Sequence, residues 1–240
     1  MNGVGVVAAL AAEARTLGPT VRRIGEVDCL GDATLRAVSG MGCAAAALAA
    51  GRLIEAGASA LLSFGFAGGL DPRLTAGSVL LPGAVVSRDG ARFATSTDWR
   101  RRLTVAVLAQ RPVAGGNLLT HAQAIGAVAH KAAAFLETGA VAVDMESLAV
   151  AQVAAAHHLP FMAVRVIVDT AGDALPPAVV AASQAGQVSL WRLIGGLALS
   201  PGELAPLLRL AGRYRAATRS LAAVAQAVLL TRADAGARAA

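Results

Sequence analysis

Short runs of β-branched and aliphatic residues alternate with alanine-rich segments along most of the chain. The apolar runs predict strands over Val4–Leu10, Thr34–Val38, Ala60–Phe66, Ser78–Val86, Val113–Leu118, Val141–Val143 and Phe161–Val168. Apolar residues at three- and four-residue steps predict helices over Cys43–Ala56, Asp98–Gln110, Ala127–Thr138 and Glu146–His157. This alternation is typical of an α/β domain with a largely parallel or mixed sheet.

The C-terminal stretch has a different pattern, in which apolar residues at helical spacing are interleaved with arginines. The apolar positions are Leu204, Leu207, Leu208, Ala211, Tyr214, Leu221, Val224 and Val228. We interpret residues 1–200 as an α/β domain and residues 201–240 as an amphipathic helical extension of it. Two interpretations of the extension stay open: it packs its apolar stripe on the core or on a subunit partner, or it rests on an anionic membrane surface as a peripheral contact.

Composition narrows the class of protein and of partner. The 240 residues are 56% hydrophobic and 15% charged, which excludes disorder over most of the chain. The net charge is +6, and Leu190–Ala240 carries +5 of it, with seven arginines against Glu203 and Asp234. Because the basic character belongs to the tail and aromatic residues make up only 3%, we expect no nucleic-acid partner.

Targeting signals are not evident in the sequence. No uninterrupted apolar stretch is long enough for a membrane-spanning helix, and the apolar Met1–Leu10 segment lacks a basic leader. Cys29 and Cys43 have no metal-ligand or redox spacing. We therefore expect a cytoplasmic protein with reduced thiols. Peripheral contact with the inner face of the membrane stays open as an alternative.

Two glycine-rich segments are candidates for ligand contact. Gly40-Met41-Gly42 lies between a predicted strand and a helix, where backbone N–H groups can face an anion or a hydroxyl. The next strand ends in Gly65–Gly69, where glycines let a ligand approach the main chain. The strand end itself, Ser63–Gly69, has no carboxylate to hold a dinucleotide ribose, so an oxidoreductase that uses the Gly40 loop is only an alternative.

Three carboxylates lie within or beside apolar runs, where an unpaired charge is costly. Glu13 follows the first predicted strand, Glu146 follows Val141–Val143, and Asp169 ends Phe161–Val168. Ligands of α/β proteins collect at the carboxyl ends of strands, so the three side chains are candidates for one crevice. Each has a structural alternative: a first-turn helix carboxylate for Glu13 and Glu146, and a cap or turn residue for Asp169.

Four segments stand in an order that is informative as a set: Val6–Glu13 (VVAALAAE); Ser39–Gly42 (SGMG); Gly65–Leu70 (GFAGGL) with Gly77 after it; and Val143–Ser147 (VDMES) followed by Pro160-Phe161 and Val164–Asp169 (VRVIVD). They resemble the nucleoside phosphorylase and nucleosidase superfamily, which includes purine nucleoside phosphorylases, uridine phosphorylases and methylthioadenosine/S-adenosylhomocysteine nucleosidases. The resemblance implies a three-layer α/β/α fold around a central mixed sheet.

The resemblance also implies chemistry, namely cleavage of an N-ribosidic bond through an oxocarbenium-like sugar. Asp169 matches the acid that protonates the departing purine, Glu146 the carboxylate that binds the ribose hydroxyls, and Glu13 the carboxylate that activates water in nucleosidases. Met145 packs on the sugar. The expected walls of the site are Gly65, Phe66, Ala67, Gln123, Ala124, Ile125 and Val168, with Gly40 and Gly42.

Departures from the family pattern bear on the nucleophile and on the base. Phosphorylases bind phosphate with an arginine and a serine near the Gly65 strand end, and the positions that correspond to them in this chain are Ser63 and Phe66. We therefore favour hydrolysis over phosphorolysis. Inorganic phosphate stays open as a co-substrate, because Arg15 or an arginine of another subunit can supply the positive charge that phosphate needs. The base-stacking aromatic expected near 123–125 is missing, which leaves the details of base recognition open.

Within the superfamily the chain looks most like the hopanoid-associated phosphorylases. The features that carry this resemblance are Phe66, the Asp144–Ser147 segment (DMES), Ala174-Leu175-Pro176 after Asp169, and the C-terminal extension. This implies release of adenine from a nucleoside with an apolar 5′ substituent, adenosylhopane being the example. The resemblance implies no metal or organic cofactor and a homo-oligomer. A non-catalytic nucleoside- or lipid-binding protein on the same fold is the alternative function.

Overall fold

The computed structural model describes residues 3–19, 24–31, 33–108, 111–176, 179–180 and 204–231, the last range with side chains from residue 209. Eleven strands are present among them: β1 Gly3–Ala8, β2 Val27–Leu30, β3 Thr34–Val38, β4 Ala58–Gly69, β5 Val79–Leu80, β6 Ala84–Val86, β7 Arg92–Ala94, β8 Val113–Ala114, β9 Asn117–Thr120, β10 Ala140–Asp144 and β11 Phe161–Ile167. The helices are α1 Ala11–Leu17, α2 Cys43–Glu55, α3 Thr97–Leu108, α4 Val128–Thr138, α5 Ser147–Ala156 and α6 Leu204–Leu230.

Strand β4 is the centre of a mixed sheet. It lies parallel to β1 on one side and to β11 on the other, and its last residues pair antiparallel with β10. The path along the sheet is β2-β3-β1-β4-β10-β9-β6-β7, and β5 and β8 continue it from β11. Because β4 bridges both halves, its C-terminal glycines lie where the ends of β1, β10 and β11 come together.

Alternate residues of the central strands enter two separate cores. Leu62 and Phe64 of β4 pack with Trp99 of α3 and Leu221 of α6. Leu61 packs on the opposite face with side chains of α2 and α5. A strand buried on both faces shows this two-residue period, with a helical layer over each face. The expected α/β/α fold with a central mixed sheet is therefore confirmed.

Helix α6 packs its apolar stripe on the core. Leu210, Tyr214, Leu221 and Val228 are buried, whereas Arg209, Arg215 and Arg219 are exposed. Over residues 209–231 the apolar face therefore lies against the protein. The side chains of Leu204, Leu207 and Leu208, and positions 232–240, lie outside the described residues, as does the expected domain boundary at 200, which stays a prediction. In the part of the chain that is described, no helix is long and apolar enough to cross a membrane.

Two predicted strands are each divided in the structure. Ser78–Val86 forms β5 and β6, because Pro82 and Gly83 interrupt the run. Val113–Leu118 forms β8 and β9, separated by Gly115 and Gly116. Gly116 has φ +119°, and an added Cβ there would lie 2.8 Å from Cγ1 of Val141. Helix α1 and strands β2 and β7 were not predicted, since each is short and lacks a clear apolar period.

Candidate active site

A cavity of about 180 Å³ lies beside the ends of β1, β4, β10 and β11. All three candidate carboxylates, Glu13, Glu146 and Asp169, contribute to its wall and are buried. Other predicted site residues that line it are Met145, Phe66, Ala67, Gln123, Ala124, Ile125 and Val168. The cavity thus joins residues that are more than 150 positions apart in the sequence, as between Glu13 and Asp169.

Glu13 lies in the first turn of α1 and is held by two backbone donors. The N–H of Leu10 donates to Oε2 and the N–H of Phe66 donates to Oε1, both at 2.8 Å. Burial raises the pKa of Glu13, against the opposing effects of the Arg165 charge and of these hydrogen bonds. Glu13 therefore caps α1, as the structural alternative expected, and also faces the cavity with an oriented carboxylate of raised proton affinity.

Gly65 does not line the cavity, although we expected it to do so. A Cβ added at Gly65 would lie less than 3.0 Å from the three carboxylate atoms of Glu13. The missing side chain thus makes room for Glu13 and not for a ligand. Phe66 and Ala67, the next two residues of β4, do reach the cavity.

Glu146 connects the end of β10 to the Gly40 loop. The N–H of Gly42, at the start of α2, donates to Oε1 at 2.8 Å, and the N–H of Met145 donates to Oε2 at 3.3 Å. Burial and, to a smaller extent, the neighbouring Asp144 carboxylate raise the pKa of Glu146 to about 7. The anion that faces this helix N-terminus is a side chain of the protein itself, which leaves the Gly42 N–H engaged and not free for a cofactor phosphate.

Asp169 follows β11 and pairs with Lys131 of α4, a residue that sequence reasoning missed. Lys131 is fully buried and donates to Oδ2 of Asp169 and to the carbonyls of Thr170 and Asp173, at 2.8 and 2.9 Å. Burial raises the pKa of Asp169, and the Lys131 charge opposes that shift. One signal was available in the sequence, because Lys131 is the only lysine: the other 20 of the 21 basic Lys and Arg residues are arginines.

A buried polar network supports the cavity from beneath, and it was also not predicted. Arg165 donates to Oδ2 of Asp144 through Nε at 2.9 Å and through one terminal nitrogen at 2.7 Å. The same nitrogen contacts the hydroxyls of Ser63 and Ser147. Thr120 donates to Oδ1 of Asp144 at 2.7 Å. Ser63, which stands at one of the positions where phosphorylases bind phosphate, is engaged in this network and is not part of the cavity wall.

The remainder of the wall is largely apolar. Leu10, Met41, Leu175 and Leu210 line it, together with Phe66 and Tyr214. The rings of Phe66 and Tyr214 lie 5.2 Å apart between centroids, tilted by 54°. Tyr214 and Leu210 belong to α6, so the C-terminal extension contributes directly to the site.

Charged groups of the wall are all acidic, as far as the described residues go: no lysine, arginine or histidine lines the cavity. Over the same residues, no group of three or more His, Cys, Asp or Glu side chains is placed to hold a metal ion. The arrangement thus offers buried carboxylates that can exchange protons beside a largely apolar wall.

Solved structures resemble this fold across almost its whole length. The 5'-methylthioadenosine/S-adenosylhomocysteine nucleosidase of Helicobacter pylori, in complex with butyl-thio-DADMe-Immucillin-A, has a TM-score of 0.70 and 18% identity over 96% of this chain and 97% of its own. The Neisseria meningitidis nucleosidase of the same name has 0.69 and 22%, over 95% and 99%. Futalosine hydrolase of H. pylori has 0.68 and 18%, over 94% and 97%.

Sequence comparison gives the family. No curated protein sequence matches the chain significantly. The family model described as the phosphorylase superfamily matches residues 22–194, which is more than half of the 240 residues. That match confirms the predicted resemblance at the level of the superfamily. It also confirms the enzyme class that the resemblance implied, the nucleosidases and nucleoside phosphorylases. The chain belongs to the phosphorylase superfamily.

Proposed function

We propose that the protein hydrolyses the N-ribosidic bond of a purine nucleoside, with adenine as the base and an apolar group at the 5′ position. The observation that carries this proposal is the convergence of Glu13, Glu146 and Asp169 on one cavity in a member of this superfamily. The structures with similar folds include nucleosidases bound to Immucillin analogues and a futalosine hydrolase, which supports a nucleoside-type ligand.

In this proposal each carboxylate has a separate task. Glu13 takes a proton from the attacking water, since its two backbone hydrogen bonds orient it and burial raises its pKa. Glu146 accepts hydrogen bonds from the ribose hydroxyls, with Met145 beside the sugar. Asp169 protonates the departing base, because a nitrogen anion is a poor leaving group in an apolar site.

Water is the proposed nucleophile because a phosphate dianion needs cationic or strong N–H donors. The described residues that line the cavity include none of the basic types. The nearest buried cation in the network, Arg165, has its donors engaged by Asp144, Ser63 and Ser147. The Lys131 ammonium is likewise engaged, by Asp169 and by the carbonyls of Thr170 and Asp173. A phosphate ion would therefore meet the Glu13 and Glu146 carboxylates with no free cation of the described residues beside it.

The apolar wall supports the choice of the 5′ substituent. Phe66 and Tyr214 give the cavity a hydrophobic surface in place of the small polar residue that the family pattern has at position 66. A volume of about 180 Å³ is below the roughly 300–1,000 Å³ that is usual for ligand pockets. A substituent as large as that of adenosylhopane would therefore extend out of the cavity, and we propose it as the upper end of a range that begins with short alkyl groups.

The test is to incubate the protein with adenosine and with 5′-alkylthioadenosines of increasing chain length, with and without phosphate. We expect release of adenine that does not depend on phosphate, with kcat/KM rising with alkyl length. Release that requires phosphate would overturn the choice of water. Binding of these nucleosides without release of adenine would favour the non-catalytic alternative, and equal rates for adenosine and its alkyl derivatives would overturn the apolar 5′ group.

A further inference from the structure

The side chain of Lys131 is placed for more than structural support. Its ammonium contacts the Asp169 carboxylate and two carbonyl oxygens, of Thr170 and Asp173. An ammonium has three protons to donate, so its donor capacity matches these acceptors. The structure thus puts a fully buried ammonium, with all three of its protons engaged, directly behind the Asp169 carboxylate that faces the cavity.

The choice of lysine at this position is informative in this chain. Every other basic side chain among the 21 Lys and Arg residues is an arginine, including the buried Arg36 and Arg165 that bind the carboxylates of Asp28 and Asp144. A guanidinium binds a carboxylate well but does not give up its proton in proteins, whereas a buried ammonium can. Asp169 is therefore paired with the one lysine among the 21 Lys and Arg residues, and an ammonium, unlike a guanidinium, is able to act as a proton donor.

We propose that Lys131 acts through Asp169 as the source of the proton that the departing base receives. This inference rests on the proposed function. A purine nitrogen that approaches an ionised Asp169 meets a lone pair and not a proton. Transfer of one proton from Nζ to the carboxyl converts the ion pair into a neutral amine and a neutral acid, and that acid can donate to the base. In a desolvated site, the neutral pair is disfavoured far less than in water.

The protons and electrons balance over the reaction. The C1′–N bond breaks and its electron pair stays on the base, where a new N–H bond forms with the proton of the Asp169 carboxyl. Asp169 is ionised again, and Lys131 remains as a neutral amine. The water oxygen bonds to C1′ and its proton passes to Glu13. After release of the products, Glu13 loses a proton to solvent and Lys131 gains one, so the net reaction is nucleoside plus water to free sugar plus base.

A purely structural role for Lys131 makes a different prediction, because it also anchors the loop that follows β11. Two substrates separate these roles. A 5′-alkylthioadenosine has a leaving group that must be protonated, while 4-nitrophenyl β-D-ribofuranoside releases a nitrophenolate, which departs without a proton. Loss of the proton source should slow only the first reaction, and loss of the loop geometry should slow both.

The experiment compares the wild type with Lys131→Met, Lys131→Arg and Asp169→Asn on both substrates. We expect kcat for the nucleoside to fall about 100-fold or more in all three variants, as for loss of a general acid, with KM little changed. On the nitrophenyl riboside all three should stay within a few-fold of the wild type. Lys131→Arg is the decisive variant, since it keeps the positive charge but removes the transferable proton.

Several outcomes would overturn the inference. Nucleoside turnover of Lys131→Arg within about threefold of the wild type would show that the charge alone suffices. An equal loss on both substrates, in variants whose circular dichroism spectrum is that of the wild type, would assign Lys131 a structural role. If Lys131→Met does not fold, Lys131→Arg decides alone. A wild type that releases neither base nor nitrophenolate would instead remove the proposed function itself, which distinguishes the two failures.

Discussion

The buried carboxylates at the two ends of the cavity, Glu13 and Asp169, have different hydrogen-bond partners. Glu13 is held by neutral donors, the N–H groups of Leu10 and Phe66, whereas Asp169 is held by the Lys131 ammonium. Burial is the largest cause of the raised pKa at both ends. The electrostatic partners differ: Arg165 is the main opposing charge for Glu13, and Lys131 for Asp169.

This difference in partners supports the proposal that protons move in opposite directions at Glu13 and at Asp169. Fixed backbone donors cannot supply a proton but do orient a carboxylate, which suits a group that accepts one from water. An ammonium can supply a proton, which suits a group that donates one repeatedly. Two carboxylates of similar burial can therefore have opposite tasks, because their partners and not their own chemistry set the direction.

The largest expected effect is at the base end. Asp169→Asn should lower kcat for a 5′-alkylthioadenosine by about 10³–10⁴-fold with little change in KM, because the departing base loses its proton donor. Steady-state assay of adenine release measures this. The matched control is Asp98→Asn on α3, an exposed residue that does not line the cavity, and this change should leave kcat and KM unchanged. Unchanged turnover in Asp169→Asn would contradict its role as an acid.

The next effect is at the opposite end and sharpens the contrast. Glu13→Gln should lower kcat by about 10²–10³-fold, since an amide cannot accept the proton of the attacking water. Unlike Asp169→Asn, this variant should also lose activity on the nitrophenyl riboside, whose hydrolysis still needs an activated water. If Glu13→Gln spares the nitrophenyl riboside, the two ends of the cavity do not divide the reaction as proposed.

A change in the network beneath the cavity should affect the Glu13 end and not the Asp169 end. Arg165→Met leaves Asp144 buried without its ion-pair partner, which typically costs about 3–5 kcal/mol of unfolding free energy. It also removes the charge that lowers the pKa of Glu13, so the acid limb of the kcat/KM profile should move to higher pH. Denaturant unfolding measures the loss of stability, and the pH profile of kcat/KM measures the shift of the acid limb. An acid limb at the wild-type pH would contradict the effect of Arg165 on Glu13.

Glu146 lies between the two ends and predicts a pH dependence of stability. Its pKa is about 7 in the folded protein and 4.5 for an ordinary glutamate, so the folded state binds this proton more tightly than the unfolded state. The protonated Glu146 therefore contributes about 3 kcal/mol to the unfolding free energy below pH 4.5. This contribution is lost as the pH rises from 4.5 through about 7. Unfolding of the wild type compared with Glu146→Gln at pH 5 and pH 8 measures it. The same difference between the two proteins at both values would contradict the raised pKa.

The smallest expected effect comes from the loop behind Asp169. The Asp173 carboxylate accepts hydrogen bonds from Thr170 and forms an ion pair with the partly exposed Arg213 of α6. Asp173→Asn should reduce the unfolding free energy by less than about 1 kcal/mol, because a partly exposed ion pair contributes little and the amide oxygen can still accept from Thr170. Its carbonyl still accepts from Lys131, so kcat should change less than about threefold. A loss comparable to that of Asp169→Asn would show that the carboxylate itself takes part at the base end.

Local patterns were sufficient for most of the architecture. The helices α2, α4 and α5 agree with their predicted ranges to within a residue at each end. Glycines flank α2 and α4, and Pro160 follows α5. The short α1 escaped prediction, although it contains Glu13, because seven residues hold too few apolar repeats to reveal a helix. Strand β4 extends through Gly69, beyond the predicted end at Phe66, because pairing with β10 continues it.

The candidate site shows the same division. Buried carboxylates at strand ends could be identified from apolar surroundings and from the family resemblance, without any coordinates. Asp144, Arg165 and Ser63 could not, because a polar residue inside an apolar strand has no local sign of which distant group it will meet. The uniqueness of Lys131 among 20 arginines was visible, but its partner was not.

The sequence by itself determined the alternation of strands and helices and indicated the three candidate carboxylates Glu13, Glu146 and Asp169. Only the tertiary structure decided what each carboxylate contacts: Glu13 meets Phe66, Glu146 meets Gly42 across 104 residues, and Asp169 meets Lys131. The physical reason is range. Periodicity follows from the geometry of single elements, whereas hydrogen-bond partners depend on the order and register of strands that are distant in the chain.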